Sequence, residues 1–280
     1  MSTIIYGGQG NVQLKHLHQM MKTEKGQALL LQLQECDCES HQLIQNILNK
    51  KSDLQGLYAA MLTTFLYNAW ASQDELIEAG TSFSAHSAGI FNVLLASRSA
   101  CFQNIIHFIK KRAQLVENLS RLEELHLVIT ENMNLLQEKV LNCYPEKFQL
   151  AIVTDQTSGV LAMKKEAVKE LQEAAQQASL LVKIKSLGVK APYHTSFLSQ
   201  SQTAYQQLVQ ELGIQQNQDY NYIFHCDDLQ EEILYQWSHL FNWQKIKEDI
   251  LSKETEVIDL SPNKFISKQL MKMKGRKNKR

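Results

Sequence analysis

The segment around Ser87 constrains the fold more than any other part of the chain. A short β-prone run at residues 81–85 leads into Ser87, and Gly89 and an apolar helical run, Ile90 to Ala96, follow it. This order is typical of a nucleophile elbow, in which a serine lies on a tight strand-to-helix turn above the helix N-terminus. Ala85 stands where the pattern usually has glycine. The sequence therefore predicts an elbow with Ser87 at its tip.

Length and composition limit the classes of protein that fit. A chain of 280 residues that is 44% hydrophobic is long enough for one large domain, or for a domain that carries a smaller inserted one. No apolar run approaches eighteen residues, so we expect no membrane span. The N-terminus shows no signal-peptide pattern, and five scattered cysteines favour reduced thiols. We therefore expect a cytoplasmic protein.

A metal site is a weak alternative reading of the cysteines. Cys36 and Cys38 lie close to His41, but no second cysteine pair completes a zinc-binding spacing. We expect no metal and no tightly bound cofactor.

The hydrophobic periodicity predicts an α/β protein with two kinds of organisation. The first part of the chain begins with a strand at Ser2–Tyr6, and the elbow strand and helix follow later. The helical stretches predicted in this part lie near residues 14–21, 41–49, 56–72 and 101–122. Beyond residue 122 the pattern changes to β-α-β-β-α-β, which is the element order of a ferredoxin-like module. The predicted elements of this module are strands at 125–130, 148–153, 159–163 and 180–184, with helices at 133–142 and 165–178.

Four further features accompany Ser87 in a fixed order. A glycine-rich segment containing Gln9 follows the first strand, Arg112 lies twenty-five residues after Ser87, His194 follows Ala191-Pro192-Tyr193, and Gln236 precedes an aromatic segment. In this order and spacing the chain resembles the malonyl-CoA:acyl-carrier-protein transacylase family, the acyltransferases of fatty-acid and polyketide synthesis. The resemblance extends from Gln9 to residues 257–262.

The resemblance implies a two-part architecture that agrees with the periodicity. An α/β-hydrolase-like catalytic subdomain would comprise residues 1–122 and 188–280. A ferredoxin-like subdomain would be inserted at residues 123–187.

The resemblance also implies the catalytic roles. Ser87 would be the nucleophile and His194 its general base, with a main-chain carbonyl at Gln236 orienting the imidazole. The backbone N–H groups of Gln9 and Ala88 would form the oxyanion hole. Two alternatives stay open: a half-buried structural role for His194, and a plain glycine-rich turn or a phosphate loop at residues 7–10, although no Gly-Lys-Ser/Thr follows that segment.

Three residues are implied to bind substrate. Arg112 would pair its guanidinium with a free carboxylate on the acyl group, while His86 lines the site and the Gln236 side chain positions the acyl chain. The alternative for Arg112 is a solvated helix face beside Lys110 and Lys111.

The predicted reaction moves a malonyl group from malonyl-CoA, through a seryl ester, to the phosphopantetheine thiol of an acyl carrier protein. We expect a monomer that binds no nucleic acid. Ile90 and Val116 depart from the family pattern, which indicates a divergent enzyme dedicated to a fatty-acid or polyketide-type pathway. The alternatives are an acyl-thioester hydrolase on the same fold and a catalytically silent docking subunit.

The charge is unevenly distributed along a chain of net charge zero. Residues 264–280 carry eight Lys and Arg and no acid, which leaves 21 basic against 29 acidic residues elsewhere. This tail either steers an acidic carrier protein or is a frayed, solvated segment.

Overall fold

A computed structural model of the protein describes residues 2–119 and 122–277, and side chains up to residue 275. The eight strands are β1 Ser2–Tyr6, β2 Ser82–Ala85, β3 Glu123–Thr130, β4 Gln149–Asp155, β5 Ser158–Lys164, β6 Val182–Val189, β7 Asn221–Tyr222 and β8 Glu256–Asp259. The helices are α1 Leu14–Met21, α2 Glu24–Cys36, α3 Cys38–Leu48, α4 Leu57–Ala71, α5 Ile90–Ala96, α6 Phe102–Asn118, α7 Met133–Lys139, α8 Ala167–Gln177, α9 Gln202–Glu211, α10 Leu229–Ser238, α11 Trp243–Ser252 and α12 Phe265–Lys277.

A parallel sheet forms the centre of the larger part, in the strand order β7-β2-β1-β8. Helices cover both of its faces, so the middle strands are buried and rich in apolar side chains, such as Ile4, Ile5 and Phe83. Because β2 is such a strand, the residues that follow it lie at the carboxyl edge of the sheet, where ligands bind in α/β folds.

A second, antiparallel sheet has the order β4-β5-β3-β6. Helices α7 and α8 pack against it over a separate core that includes Leu136, Leu161 and Leu171. The predicted β-α-β-β-α-β order of elements is confirmed, and so is the mixed α/β class.

The last strand of this sheet differs from the prediction. It runs over Val182–Val189 rather than 180–184, because Leu180 is buried in the small core before the strand begins. Pairing with β3 continues through an irregularity in register to Leu125 and Val189.

Helix α2 is absent from the predicted elements. Thr23 caps its N-terminus by accepting a hydrogen bond from the N–H of Gly26. Its buried face consists of Leu29, Leu30 and Leu33, but exposed Leu31 interrupts the amphipathic pattern.

Most of the basic tail is helical rather than frayed, although its lysines at 272 and 274 are exposed to solvent. Residues 265–277 form α12, and this helix buries Ile266 and Leu270 in an apolar cluster that also contains Trp243 and Ile250. The remaining tail residues, 278–280, lie outside the described part of the chain. Within the described part, no helix has the length and apolar character needed to cross a membrane.

Candidate active site

Ser87 lies on a strained turn between β2 and α5. Its φ is 48°, in the left-handed region that side chains with a Cβ rarely adopt. A single 3₁₀ turn, Ser87–Gly89, connects the strand to the helix. This is the strand-turn-helix arrangement that the sequence predicts.

The turn is tight because Gly89 lies directly against the end of β1. A Cβ on Gly89 would come within 2.8 Å of the carbonyl oxygens of both Tyr6 and Gly7. The N–H of His86 donates to the Tyr6 carbonyl at 3.0 Å and fixes the same contact from the strand side. The elbow therefore requires glycine at position 89.

Substituting Gly89 with alanine should therefore lower the free energy of unfolding by about 1–3 kcal/mol, since backbone must move to admit the methyl group. Gly275→Ala is the matched control: it is a helical glycine whose Cβ would meet nothing within 4 Å. We expect that control to be neutral or slightly stabilising. Equal urea-unfolding midpoints for the two variants would contradict this account of the elbow.

His194 contacts Ser87 directly, although 107 residues separate them in the chain. The Oγ of Ser87 and the Nε2 of His194 are 2.7 Å apart, a hydrogen-bond distance. His194 also has a positive φ, 65°, and its N–H donates to the carbonyl of Trp237 at 3.2 Å. The structure thus brings together the two residues that the sequence singled out as nucleophile and base.

The surroundings of His194 favour its neutral form. Burial, followed by the positive charge of Arg112, lowers the pKa of His194 to about 3. The main-chain carbonyl of Gln236 acts in the opposite direction and raises that pKa. Nδ1 of His194 has no hydrogen-bond partner of normal geometry among the described residues. The contact between the Gln236 carbonyl and His194 is therefore looser than a normal hydrogen bond.

The glycine-rich segment after β1 lies against the elbow. A Cβ on Gly8 would come within 2.6 Å of both Nδ1 and the carbonyl oxygen of His86. Gln9 follows in a turn that Gly10 completes with a φ of 92°. Ala88 occupies the second position of the 3₁₀ turn, where an N–H has no partner within its own helix.

Arg112 is a buried cation on α6, with only 4% of its surface exposed. This burial excludes the solvated helix face as its location. Its guanidinium carbon lies 4.0 Å from the ring centre of Tyr193 and 5.5 Å from that of Trp237. Nη1 donates to Sδ of Met61 at 2.7 Å, and Nε has no hydrogen-bond partner within the described residues.

No carboxylate forms an ion pair with Arg112 in the described ranges 2–119 and 122–277. Aromatic faces and a thioether compensate a buried guanidinium only in part. The guanidinium also lies close enough to His194 to lower the pKa of that imidazole, so a cation with no described carboxylate partner lies near the Ser87–His194 pair.

His86 and Gln236 both lie close enough to His194 to influence its pKa. The ring of His86 packs edge-on against Trp243, at 5.0 Å between centroids, and its enclosure lowers its pKa to about 4. The Nε2 of Gln236 donates to Glu232 at 2.8 Å. That bond uses one of the two N–H donors of the amide.

Several residues next to the site are not indicated by the sequence. The aromatic side chains around Arg112 come from three separate segments, so no local spacing signals them. The buried acid Glu232 stands four residues before Gln236, a spacing that places both on one face of α10. This i, i+4 spacing is the one sequence signal that could have indicated a contact between Glu232 and Gln236.

No metal centre accompanies these residues: no group of three or more His, Cys, Asp or Glu side chains within the described part of the chain is arranged to hold an ion. The S–H of Cys38, at the start of α3, donates to the carbonyl of Gln34 on α2.

Comparison with solved structures identifies the fold. FabD from Acinetobacter baumannii matches with a TM-score of 0.82 and 13% identity, over 96% of this chain and 90% of that one. An acyl-carrier-protein S-malonyltransferase from Burkholderia pseudomallei 1710b gives 0.82 and 13%, over 96% and 92%. A malonyl-transacylase in complex with a type II polyketide acyl carrier protein, PlMCAT:AntF, gives 0.79 and 11%, over 96% and 91%.

These likenesses extend over nearly the whole chain and confirm the predicted resemblance at the level of the fold. No protein-family model matches the sequence, and no curated protein matches it either.

Proposed function

We propose that this chain, which has the fold of the malonyl-CoA:acyl-carrier-protein transacylases, is an acyltransferase that moves a malonyl group from CoA to a carrier protein. Its larger part would be α/β-hydrolase-like, residues 1–122 and 188–280, with a ferredoxin-like subdomain inserted at 123–187. The 2.7 Å contact between Ser87 and His194 supports a seryl ester as the intermediate.

In the first half-reaction, the Oγ of Ser87 attacks the thioester carbonyl carbon of malonyl-CoA while Nε2 of His194 takes the hydroxyl proton. The carbon–sulfur bond then breaks, and His194 returns that proton to the departing CoA sulfur. The products are free CoA and a malonyl ester on Ser87.

In the second half-reaction, the phosphopantetheine thiol of the carrier gives its proton to His194 and attacks the ester carbonyl. The carbon–oxygen bond to Ser87 breaks, and the proton returns to Oγ. No net proton is consumed, and the seryl hydroxyl is regenerated.

The oxyanion of each tetrahedral intermediate would be held by the backbone N–H groups of Ala88 and Gln9. Support comes from the position of Ala88 at the start of the 3₁₀ turn and from the close approach of Gly8 to His86. His86 would line the acyl site as a neutral imidazole.

The buried guanidinium of Arg112 is the observation that carries the substrate assignment. A malonyl group presents a carboxylate, which would supply the counter-ion that Arg112 does not have among the described residues. Hydrogen bonds to a charged group contribute about 1.5–3 kcal/mol each, so Arg112 favours malonyl over acetyl groups. A hydrolase for plain acyl chains has no use for such a cation.

The direct test is intact-mass spectrometry after brief exposure to malonyl-CoA, followed by addition of a phosphopantetheinylated carrier protein. We expect a malonyl adduct on the enzyme that then moves to the carrier. An adduct that decays to free malonate without reaching the carrier would contradict the transferase and indicate a hydrolase. An enzyme that forms no adduct would contradict both.

The lowered pKa of His194 predicts an unusual pH dependence. Its folded pKa, about 3, lies below the usual value of about 6.5 for histidine, so the neutral base persists well into the acid range. Single-turnover ester formation should stay constant between pH 8 and pH 5. A bound carboxylate offsets part of the effect of Arg112, so the pKa should rise when malonyl-CoA binds. A rate that halves near pH 6.5 in the free enzyme would contradict this environment.

The same shift makes folding stability fall with acid. Below about pH 6.5, His194 binds a proton in the unfolded chain but stays neutral in the folded protein. The free energy of unfolding therefore decreases as the pH drops towards 3. Urea titrations at pH 7 and pH 5 measure this decrease.

A further inference from the structure

Glu232 is an acid buried behind the candidate active site. It lies on α10 with 0% of its surface exposed. Oε2 accepts hydrogen bonds from the N–H groups of His225 and Cys226, both at 3.0 Å. Oε1 accepts from Nδ1 of His225 at 3.1 Å and from Nε2 of Gln236 at 2.8 Å. Four donors therefore satisfy this carboxylate.

The hydrogen bonds also fix the tautomer of His225. Its Nε2 accepts from the main-chain N–H of Asn242 at 2.9 Å, and an N–H group can only donate. Nε2 therefore carries no proton, and the proton on Nδ1 is the one donated to Glu232. His225 is held as a neutral ring with both nitrogens occupied.

The network is linked to His194 through two segments of the chain, one at Gln236 and the other at Phe241. Gln236, which donates to Glu232, presents its main-chain carbonyl to the His194 ring. Asn242, which donates to His225, follows Phe241, whose ring lies 5.2 Å from that of His194. Phe241 also packs edge-on against His225 at 5.1 Å.

We propose that Glu232 and His225 are positioning residues, which hold the Gln236 carbonyl and the Phe241 ring around His194 and so set the alignment of His194 with Ser87. The proposal rests on the function proposed above for Ser87 and His194. Packing alone does not account for an acid at position 232, because an apolar side chain fills the same volume without the cost of desolvating a carboxylate.

The network requires a side chain with two acceptor oxygens at position 232. Glutamine matches the shape of glutamate, but its amide nitrogen cannot accept a hydrogen bond. One of the two carboxylate oxygens would then be replaced by an NH₂ group, which would point its hydrogens at N–H groups that need an acceptor. The walls around His194 would shift, and small misalignments of reacting groups are known to cost up to about 100-fold in rate.

The experiment compares Glu232→Gln with Glu231→Gln. Glu231 lies next in sequence on the same helix and is exposed, so its variant makes the same change in charge without touching the network. Single-turnover ester formation from malonyl-CoA should fall about 10- to 100-fold in Glu232→Gln, with an unchanged KM. Labelling by a fluorophosphonate probe, which requires only Ser87 and His194, should fall by a similar factor. Glu231→Gln should match the unmodified protein in both.

A second variant guards against loss of the fold. His225→Phe keeps ring packing against Tyr235 and Phe241 but removes both ring nitrogens, and we expect it to slow labelling in the same direction. Glu232→Gln that is less stable yet labels at the control rate would overturn the proposal, as would failure of both variants to fold. An unmodified protein that labels with the probe but never gains a malonyl adduct would refute the proposed function alone.

Discussion

Ser87→Ala should abolish the malonyl adduct and lower transfer to the carrier on the order of 10⁴-fold or more. The variant would lack the oxygen that is proposed to form the ester, while the proposed oxyanion donors and Arg112 would remain. Alanine occupies the strained φ of 48° no more easily than serine does, so the fold should be little affected. Intact-mass spectrometry with malonyl-CoA gives the result directly.

The control for this substitution is a serine remote from the site. Ser252 lies exposed near the end of α11 and donates only to the carbonyl of Asp249, so Ser252→Ala should form the adduct normally. Far-UV circular dichroism verifies that both variants are folded. Malonylation of Ser87→Ala at the rate of the Ser252 control would disprove the nucleophile assignment.

Arg112→Ala should reverse the preference for a carboxylated acyl group. Loss of hydrogen bonds worth about 1.5–3 kcal/mol corresponds to a decrease of roughly 10- to 150-fold in kcat/KM for malonyl-CoA. The value for acetyl-CoA should stay level or rise, because acetyl presents no charge to the guanidinium. The ratio of the two kcat/KM values is therefore the quantity to measure.

Two further variants separate charge from geometry. Arg112→Lys retains a cation but not the planar pair of donors, so its malonyl preference should lie between those of Arg112 and alanine. Lys111→Ala removes a neighbouring exposed charge and should leave the ratio unchanged. If Arg112→Ala and Lys111→Ala gave the same ratio, Arg112 would not bind the acyl carboxylate.

The elbow was predictable because its determinants are local. A β-prone run, a serine, a small residue and a helix-forming run are adjacent in sequence, and the strand-turn-helix geometry follows from them. The element order of the small sheet was predictable for the same reason, since its strands and helices each have a clear period.

The surroundings of Arg112 were not predictable, because they depend on tertiary packing. The sequence shows only a basic segment at residues 110–112. In the structure, Lys110 pairs with Asp37 and Glu39, whereas Arg112 is buried. Only the packing of α6 against the segments that carry Tyr193 and Trp237 decides this difference. The same holds for Glu232, whose partner His225 lies on a loop.

The two edges of the antiparallel sheet are protected from aggregation in different ways. Exposed lysines at 183 and 185 lie along β6, and charges of this kind discourage pairing with another chain. The β4 edge is instead occupied by Phe241: its N–H donates to Ala151 and its carbonyl accepts from Val153. Separated from the rest of the protein, residues 123–187 would expose that edge as a template for intermolecular strands. The residue that packs on His194 therefore also shields the β4 edge of the antiparallel sheet from pairing with another chain.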